Sequence, residues 1–144
     1  GWYVIDVRLL DGSGEVELDR EVRDFRYGLA AVETTLLEAG TTLIKPGTPL
    51  QLSMAYTSQG DTEVDGTAVI LVQDTSGNVL ATFEQDFSNL APGAAGVFSP
   101  AWDTTGADGD YWASAYVRYE GMASPSKKLT LSTQAKIYLP FTMK

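Results

Sequence analysis

The chain has 144 residues, 44% of them apolar, with 19 acidic against 10 basic side chains and a formal charge of −9. That length supports one compact core rather than two ordinary domains, and the negative balance argues against partners whose phosphates need neutralising, nucleic acid and anionic membrane alike. The chain has no histidine and no cysteine, which removes a Ser-His-Asp triad, a Cys-His dyad, imidazole or thiolate metal sites, and any disulfide framework.

The chain opens at Gly1, with no basic or signal-like apolar segment after it, as expected of a processed or trimmed product. "WYVIDVRL" and "EVELDREV" flank the stretch "LLDGSGEV", whose Asp-Gly-Ser-Gly resembles the centre of an EF-hand loop. Such a loop needs oxygen ligands at positions 1, 3, 5 and 12 and glycine at position 6. With Gly14 at position 6, Leu9 and Arg20 occupy positions 1 and 12; with Asp11 at position 1, Val16 and Val22 stand where the glycine and the closing carboxylate belong. Neither frame works. "VQDTSGNV", which lies 63 residues further on, shares its aspartate, serine, glycine and valine, so both stretches are expected to be hairpin turns.

Leu18, Val22, Phe25, Leu29, Val32 and Leu36 recur at steps of four and three. This spacing leaves room for a helix or helical turn between about 19 and 31, although Gly28 interrupts it and Thr34 and Thr35 lean toward strand. In "PLQLSMAYTS", strict alternation predicts a strand with Leu50, Leu52, Met54 and Tyr56 buried. "TAVILVQD" and "NVLATFEQDF", joined at Thr75, Ser76 and Gly77, form the second expected hairpin. In "DYWASAYVRYEG", Tyr111, Ala113, Ala115 and Val117 are expected inside and Trp112, Tyr116 and Arg118 outside. The intervening signals "KPG", "SQGD", "APG", "GADGD" and "SPS" mark turns. The longest apolar run, "AVILV", falls far short of the roughly 18 residues of a membrane span.

Short strands punctuated this often predict an all-β, two-sheet antiparallel β-sandwich with an extra N-terminal hairpin. The expected organisation is one domain over 1–144, with the hairpin extension at 1–30, the sandwich at 31–132 and a C-terminal strand or tail at 133–144, where "IYLPFTMK" reads as a further strand.

Candidate chemistry is sparse. Asp103, Asp108 and Asp110 could bring three carboxylates to one calcium ion, and Asp61, Glu63 and Asp65 form a second acidic group; against both stands the ordinary tendency of such residues to make turns. Ser124 and Lys127 have the spacing of a serine-lysine pair, but Pro125 sits between them in an expected surface turn. Paired carboxylates suited to glycoside hydrolysis lack any sign of a cleft. Trp112, Tyr116 and Arg118 form either a partner or ligand face or the surface on which the N-terminal hairpin packs.

From about Val32 onward, the turn and core pattern running from "IKPGTPLQLSMAYTSQGD" through "LAPG" to "AWDTTGADGDYWASAYVRYEG" resembles bacterial immunoglobulin-like accessory modules of the cell-adhesion-related (CARDB-like) kind. The resemblance implies an immunoglobulin-like antiparallel β-sandwich of about 7–9 strands and an extracellular or cell-surface setting, and no particular activity. Together these readings lead to the expectation of a non-enzymatic prokaryotic structural or adhesive module without a cofactor. Its expected partners are proteins: further copies of itself, as in a surface filament built by strand complementation, or neighbouring domains. Trp2, Tyr3, Ile5, Val7 and Leu9 are the strand-exchange candidates, since sheet edges accept added strands. The alternatives are a carbohydrate-binding accessory module of a secreted enzyme, with Trp112 and Tyr116 as the sugar platform, and a proteinase inhibitor.

Overall fold

The computed structural model describes residues 2–26 and 28–135. Eleven strands and no helix occur among them: β1 (Trp2–Leu10), β2 (Glu17–Arg26), β3 (Val32–Ala39), β4 (Leu50–Ser58), β5 (Val64–Asp74), β6 (Val79–Leu90), β7 (Ala95–Phe98), β8 (Ala101–Trp102), β9 (Asp110–Tyr119), β10 (Met122–Ala123) and β11 (Lys127–Ser132).

Two turns of like chemistry set the hairpins β1–β2 and β5–β6. Asp11 Oδ1 accepts hydrogen bonds from Ser13 N (3.1 Å), Ser13 Oγ (2.5 Å) and Val16 N (3.3 Å); Asp74 Oδ1 accepts from Ser76 N and Asn78 N, both at 2.9 Å. An aspartate that ties down the backbone two residues ahead favours a turn over a continued strand. Gly14 and Gly77 follow with φ of 75° and 86°, a region that side chains resist. Their amides donate back to the carbonyls of Asp11 and Asp74. These hydrogen bonds hold both aspartate carboxyls below the usual carboxylate range; the largest cause is the Ser13 hydroxyl for Asp11 and the Asn78 side-chain amide for Asp74.

The helical turn that the spacing left open over 19–31 does not form among the described residues. Glu17–Arg26 is strand, paired with β1 from Leu9↔Asp19 to Trp2↔Arg26, and residues 28–31 are irregular. The four-and-three spacing misled because Leu18 and Val22 are exposed, so no buried helical face selected them.

The remaining nine strands make the sandwich. One sheet has the order β3-β4-β7, with β8 pairing the start of β4 through Leu50↔Trp102. In the other, β9 lies between β5 and β11, with β6 outside β5 and the short β10 beside the end of β9. All of these strand pairs are antiparallel. The inward rows are Leu50, Leu52, Met54 and Tyr56 from β4 and Tyr111, Ala113, Ala115 and Val117 from β9, buried as the alternation predicted, together with Ala68, Ile70 and Val72 from β5. Burying a Val, Leu or Ile side chain contributes roughly 1.5–3 kcal/mol, so these facing rows are the main source of the fold's stability.

Two details lock the layers. The Tyr111 hydroxyl accepts from Asp108 N (2.7 Å) and donates to Asp108 O (3.0 Å). This is the tyrosine corner of immunoglobulin-like sandwiches, and the Trp102 ring meets Tyr111 edge-on at 5.4 Å. Gly96 lies opposite Tyr56 in the β4–β7 register, and a Cβ there would strike the Tyr56 ring.

The link from hairpin to sandwich is held at the β4–β5 loop. Leu29 N donates to Asp61 Oδ1 (2.6 Å), Asp61 N donates to Leu29 O (3.0 Å), and Gln59 N donates to Ala31 O (2.8 Å). The proposed C-terminal strand "IYLPFTMK" lies outside the described residues.

Candidate association surfaces

Among the described residues, exposed large apolar side chains are most concentrated on the hairpin β1–β2. Ile5, Val7 and Leu9 alternate along one face of β1 and are 49%, 59% and 59% exposed. Their partners across the pair on β2 are Arg23, Glu21 and Asp19, so an apolar row runs beside a charged one. The backbones of Trp2 and Tyr3 belong to the same strand. Among the described residues β1 pairs only with β2, which leaves its outer edge with unsatisfied main-chain donors and acceptors for water or an added strand.

On the opposite face, Arg8 stands across from Arg20. Like charges placed directly opposite are unfavourable, and Asp6 resolves the conflict by accepting from both. Arg20 reaches it through Nε (3.0 Å) and Nη2 (2.8 Å), and Arg8 through Nη2 (3.0 Å). The Arg20 guanidinium first, and Arg8 second, hold the Asp6 carboxyl down at about 2.

The outer face of the β6–β5–β9–β11 sheet is the second surface. Trp112 is 39% exposed, with Lys128 Nζ 5.7 Å from its ring centroid. Arg118 is paired with Glu84 at 2.6 Å, and Thr67 donates to Asp86 at 2.7 Å. Tyr116 and Arg118 border a groove of about 530 Å³ whose other wall is Met122, Ala123 and Ser126. Trp112 does not line it. Four residues along β9, at about 3.4 Å each, separate Trp112 from Tyr116 by about 14 Å, with the buried Ser114 between them. The structure therefore joins Tyr116 to Arg118 and leaves Trp112 apart. It also corrects the reading in which the hairpin seals this face, because both Trp112 and the hairpin's apolar side chains stay exposed. Residues 121–126 and Lys128 were not anticipated here. The signal for the groove was Glu120-Gly121, whose φ values of 47° and 73° make the two-residue turn from β9 to β10.

The acidic loops serve the backbone. Asp103 Oδ1 accepts from Thr105 Oγ1 (2.7 Å) and Thr105 N (3.0 Å), which lowers its pKa, the hydroxyl contributing most. The backbone of Asp108 carries the tyrosine corner, and Asp110 begins β9 opposite Ser132. Asp61 accepts from Leu29, and Asp65 accepts from Asn89 N at 2.7 Å. Among the described residues no three carboxylates converge on a point where a metal ion could sit, so Asp103, Asp108 and Asp110 do not form the calcium cluster that their spacing suggested. Ser124 is likewise structural: its hydroxyl is buried, accepts from Val117 N (2.9 Å) and bonds Thr34 Oγ1 (3.1 Å). Lys127 is exposed on β11, and no serine-lysine chemistry follows from this arrangement.

Fold and register together define an immunoglobulin-like β-sandwich with an N-terminal hairpin whose apolar side chains are exposed among the described residues. No family model matches the chain, and neither does any curated protein sequence. Among solved structures, a β-glucosidase from Erythrobacter marinus matches over 72% of this chain and 15% of its own, at 11% identity and a TM-score of 0.54. A β-glucosidase from Listeria innocua matches over 74% and 16%, at 10% identity and a TM-score of 0.48. An alkylpurine DNA glycosylase from Pseudomonas fluorescens matches over 69% and 30%, at 18% identity and a TM-score of 0.47. The chain spans less than a third of each of these proteins, and at such identities the first likeness concerns the fold alone.

Proposed function

We propose that the chain is a non-enzymatic, extracellular structural or adhesive module, in which the sandwich is the rigid body and the N-terminal hairpin is the element that associates with another protein. The observation that carries this reading is the row Ile5, Val7 and Leu9, left about half exposed beside an edge of β1 that pairs with nothing among the described residues. An isolated two-stranded hairpin is marginally stable in water, so apolar surface and an open edge on such an element favour pairing with a further strand. The extracellular setting is supported by the CARDB-like resemblance in the turn and core pattern. Light scattering on the full chain and on the chain lacking residues 1–26 tests the reading. The expected result is a mass above 15.5 kDa that rises with concentration for the full chain and a constant single-chain mass for the shortened one. A shortened chain that associates equally well would remove the hairpin from the account.

A second reading rests on the groove beside Tyr116 and Arg118. Its volume of about 530 Å³ lies within the range of small-ligand sites, and an aromatic next to a paired arginine suits a carbohydrate of an accessory module's substrate. Glycan-array retention that is lost in Tyr116→Ala would support it; no retention by the full chain would remove it.

A further inference from the structure

We infer that the partner of β1 is β1 of a second copy, paired antiparallel about a two-fold axis at Val7. This inference rests on the association reading above and specifies its partner and register. In this pairing Val7 faces Val7 of the other copy, Ile5 faces Leu9, Val4 faces Leu10, and Asp6 faces Arg8. Every apolar position from Val4 to Leu10 then meets an apolar one, and each carboxylate meets a guanidinium.

Neighbouring registers fail for identifiable reasons. Shifting by one residue either way places Ile5, Val7 and Leu9 of the two copies on opposite faces of the joint sheet, because side chains alternate with a period of two. A shift by two in one direction sets Asp6 against Asp6, and in the other Arg8 against Arg8, and like charges directly opposed are destabilising. The Asp6 register would overlap the whole of β1, so charge rather than length selects the register centred on Val7.

The chosen register also answers the crowding seen in one chain. Arg8 and Arg20 share a single carboxylate, that of Asp6; the second copy sets its own Asp6 against Arg8 from the other side. On the opposite face Ile5, Val7 and Leu9 of both copies become one apolar patch at the centre of a four-stranded sheet, flanked by the charged row of β2. A two-fold pairing uses the same edge on both chains and therefore closes as a dimer; it does not by itself propagate a filament.

Because the chain contains no cysteine, single introduced thiols report the register without ambiguity. Full-length Val7→Cys, oxidised with diamide, is expected to give a covalent dimer as its major product. Ile5→Cys and Leu9→Cys are each expected to give little alone and a covalent heterodimer when mixed. Charge reversal supplies an independent arm that does not depend on crosslinking. Asp6→Arg and Arg8→Asp each place like charges across the axis and are expected to stay at single-chain mass, whereas mixing the two restores opposite charges at both contacts and returns association. Association that is lost without residues 1–26 but gives neither the Val7→Cys dimer nor rescue on mixing would overturn this register while leaving the association reading standing. A Val7→Cys dimer that forms only after residues 136–144 are removed would overturn the second copy as occupant in favour of the C-terminal segment.

Discussion

The hairpins β1–β2 and β5–β6 share a turn and little else. Both close on an aspartate that accepts backbone N–H groups and on a glycine with positive φ. In β5, however, Ala68, Ile70 and Val72 are fully buried beneath β4 and beside β9, whereas in β1 Ile5, Val7 and Leu9 are about half exposed. Turn chemistry thus specifies where the chain reverses, and the layers available on either side decide how much free energy the reversal is worth. The same local signal yields the centre of the core in one place and an exposed apolar row in the other.

The largest expected contrast comes from truncating the apolar rows. Ile70→Ala should cost about 2–5 kcal/mol of the sandwich's unfolding free energy, and Ile5→Ala less than about 0.5 kcal/mol when measured on dilute, dissociated chain; urea titrations of the two variants give both values. Next in size is Gly96→Ala, which drives a methyl into the Tyr56 ring and should lower stability by roughly 1–3 kcal/mol. It leaves β1 untouched, so the association proposed above should persist in whatever fraction stays folded.

The turns supply a smaller and sharper contrast. Asp74→Ala removes hydrogen bonds to Ser76 and Asn78 and should cost the sandwich about 1 kcal/mol. Asp11→Ala should leave the sandwich transition unchanged and speed hydrogen exchange only in residues 2–26, since a weakly covered unit opens locally.

The smallest effect is one of pH. Asp6 titrates at about 2 in the folded hairpin against an ordinary 3.8. A depressed carboxyl contributes stability that is fully present above the unfolded value and is lost as pH falls through the folded one. The hairpin should therefore be insensitive to pH above about 4 and loosen between about 4 and about 2. Because the pair is exposed, the effect should shrink in high salt; amide chemical shifts of β1 followed by NMR would show both.

Much of the sandwich was legible because buried rows leave a period of two. Leu50 to Tyr56 and Tyr111 to Val117 alternate strictly, and both rows are inside. The repeated aspartate, serine and glycine announced both hairpins. The helical spacing from Leu18 onward misled because Leu18, Val22 and Leu29 are exposed, and periodicity in exposed residues carries no packing constraint. The surfaces were harder to read. Trp112, Tyr116 and Arg118 sit on the outer side of β9 as alternation required, yet only the paired positions across β9, β10 and β11 reveal that Tyr116 and Arg118 share a groove that excludes Trp112. The acidic loop illustrates the same limit. Three aspartates within eight residues look like ligands in one dimension, yet among the described residues no three carboxylates converge.

Hydrogen exchange followed as a function of protein concentration tests the contrast most directly, because it reads both hairpins in one sample. The outer-edge amides of β1 should gain protection as concentration rises, while those of β5 and β9 keep the same slow rates throughout. Amides of β1 that exchange as slowly as those of β5 at every concentration would mean that the first hairpin is already covered within its own chain, which would contradict the account.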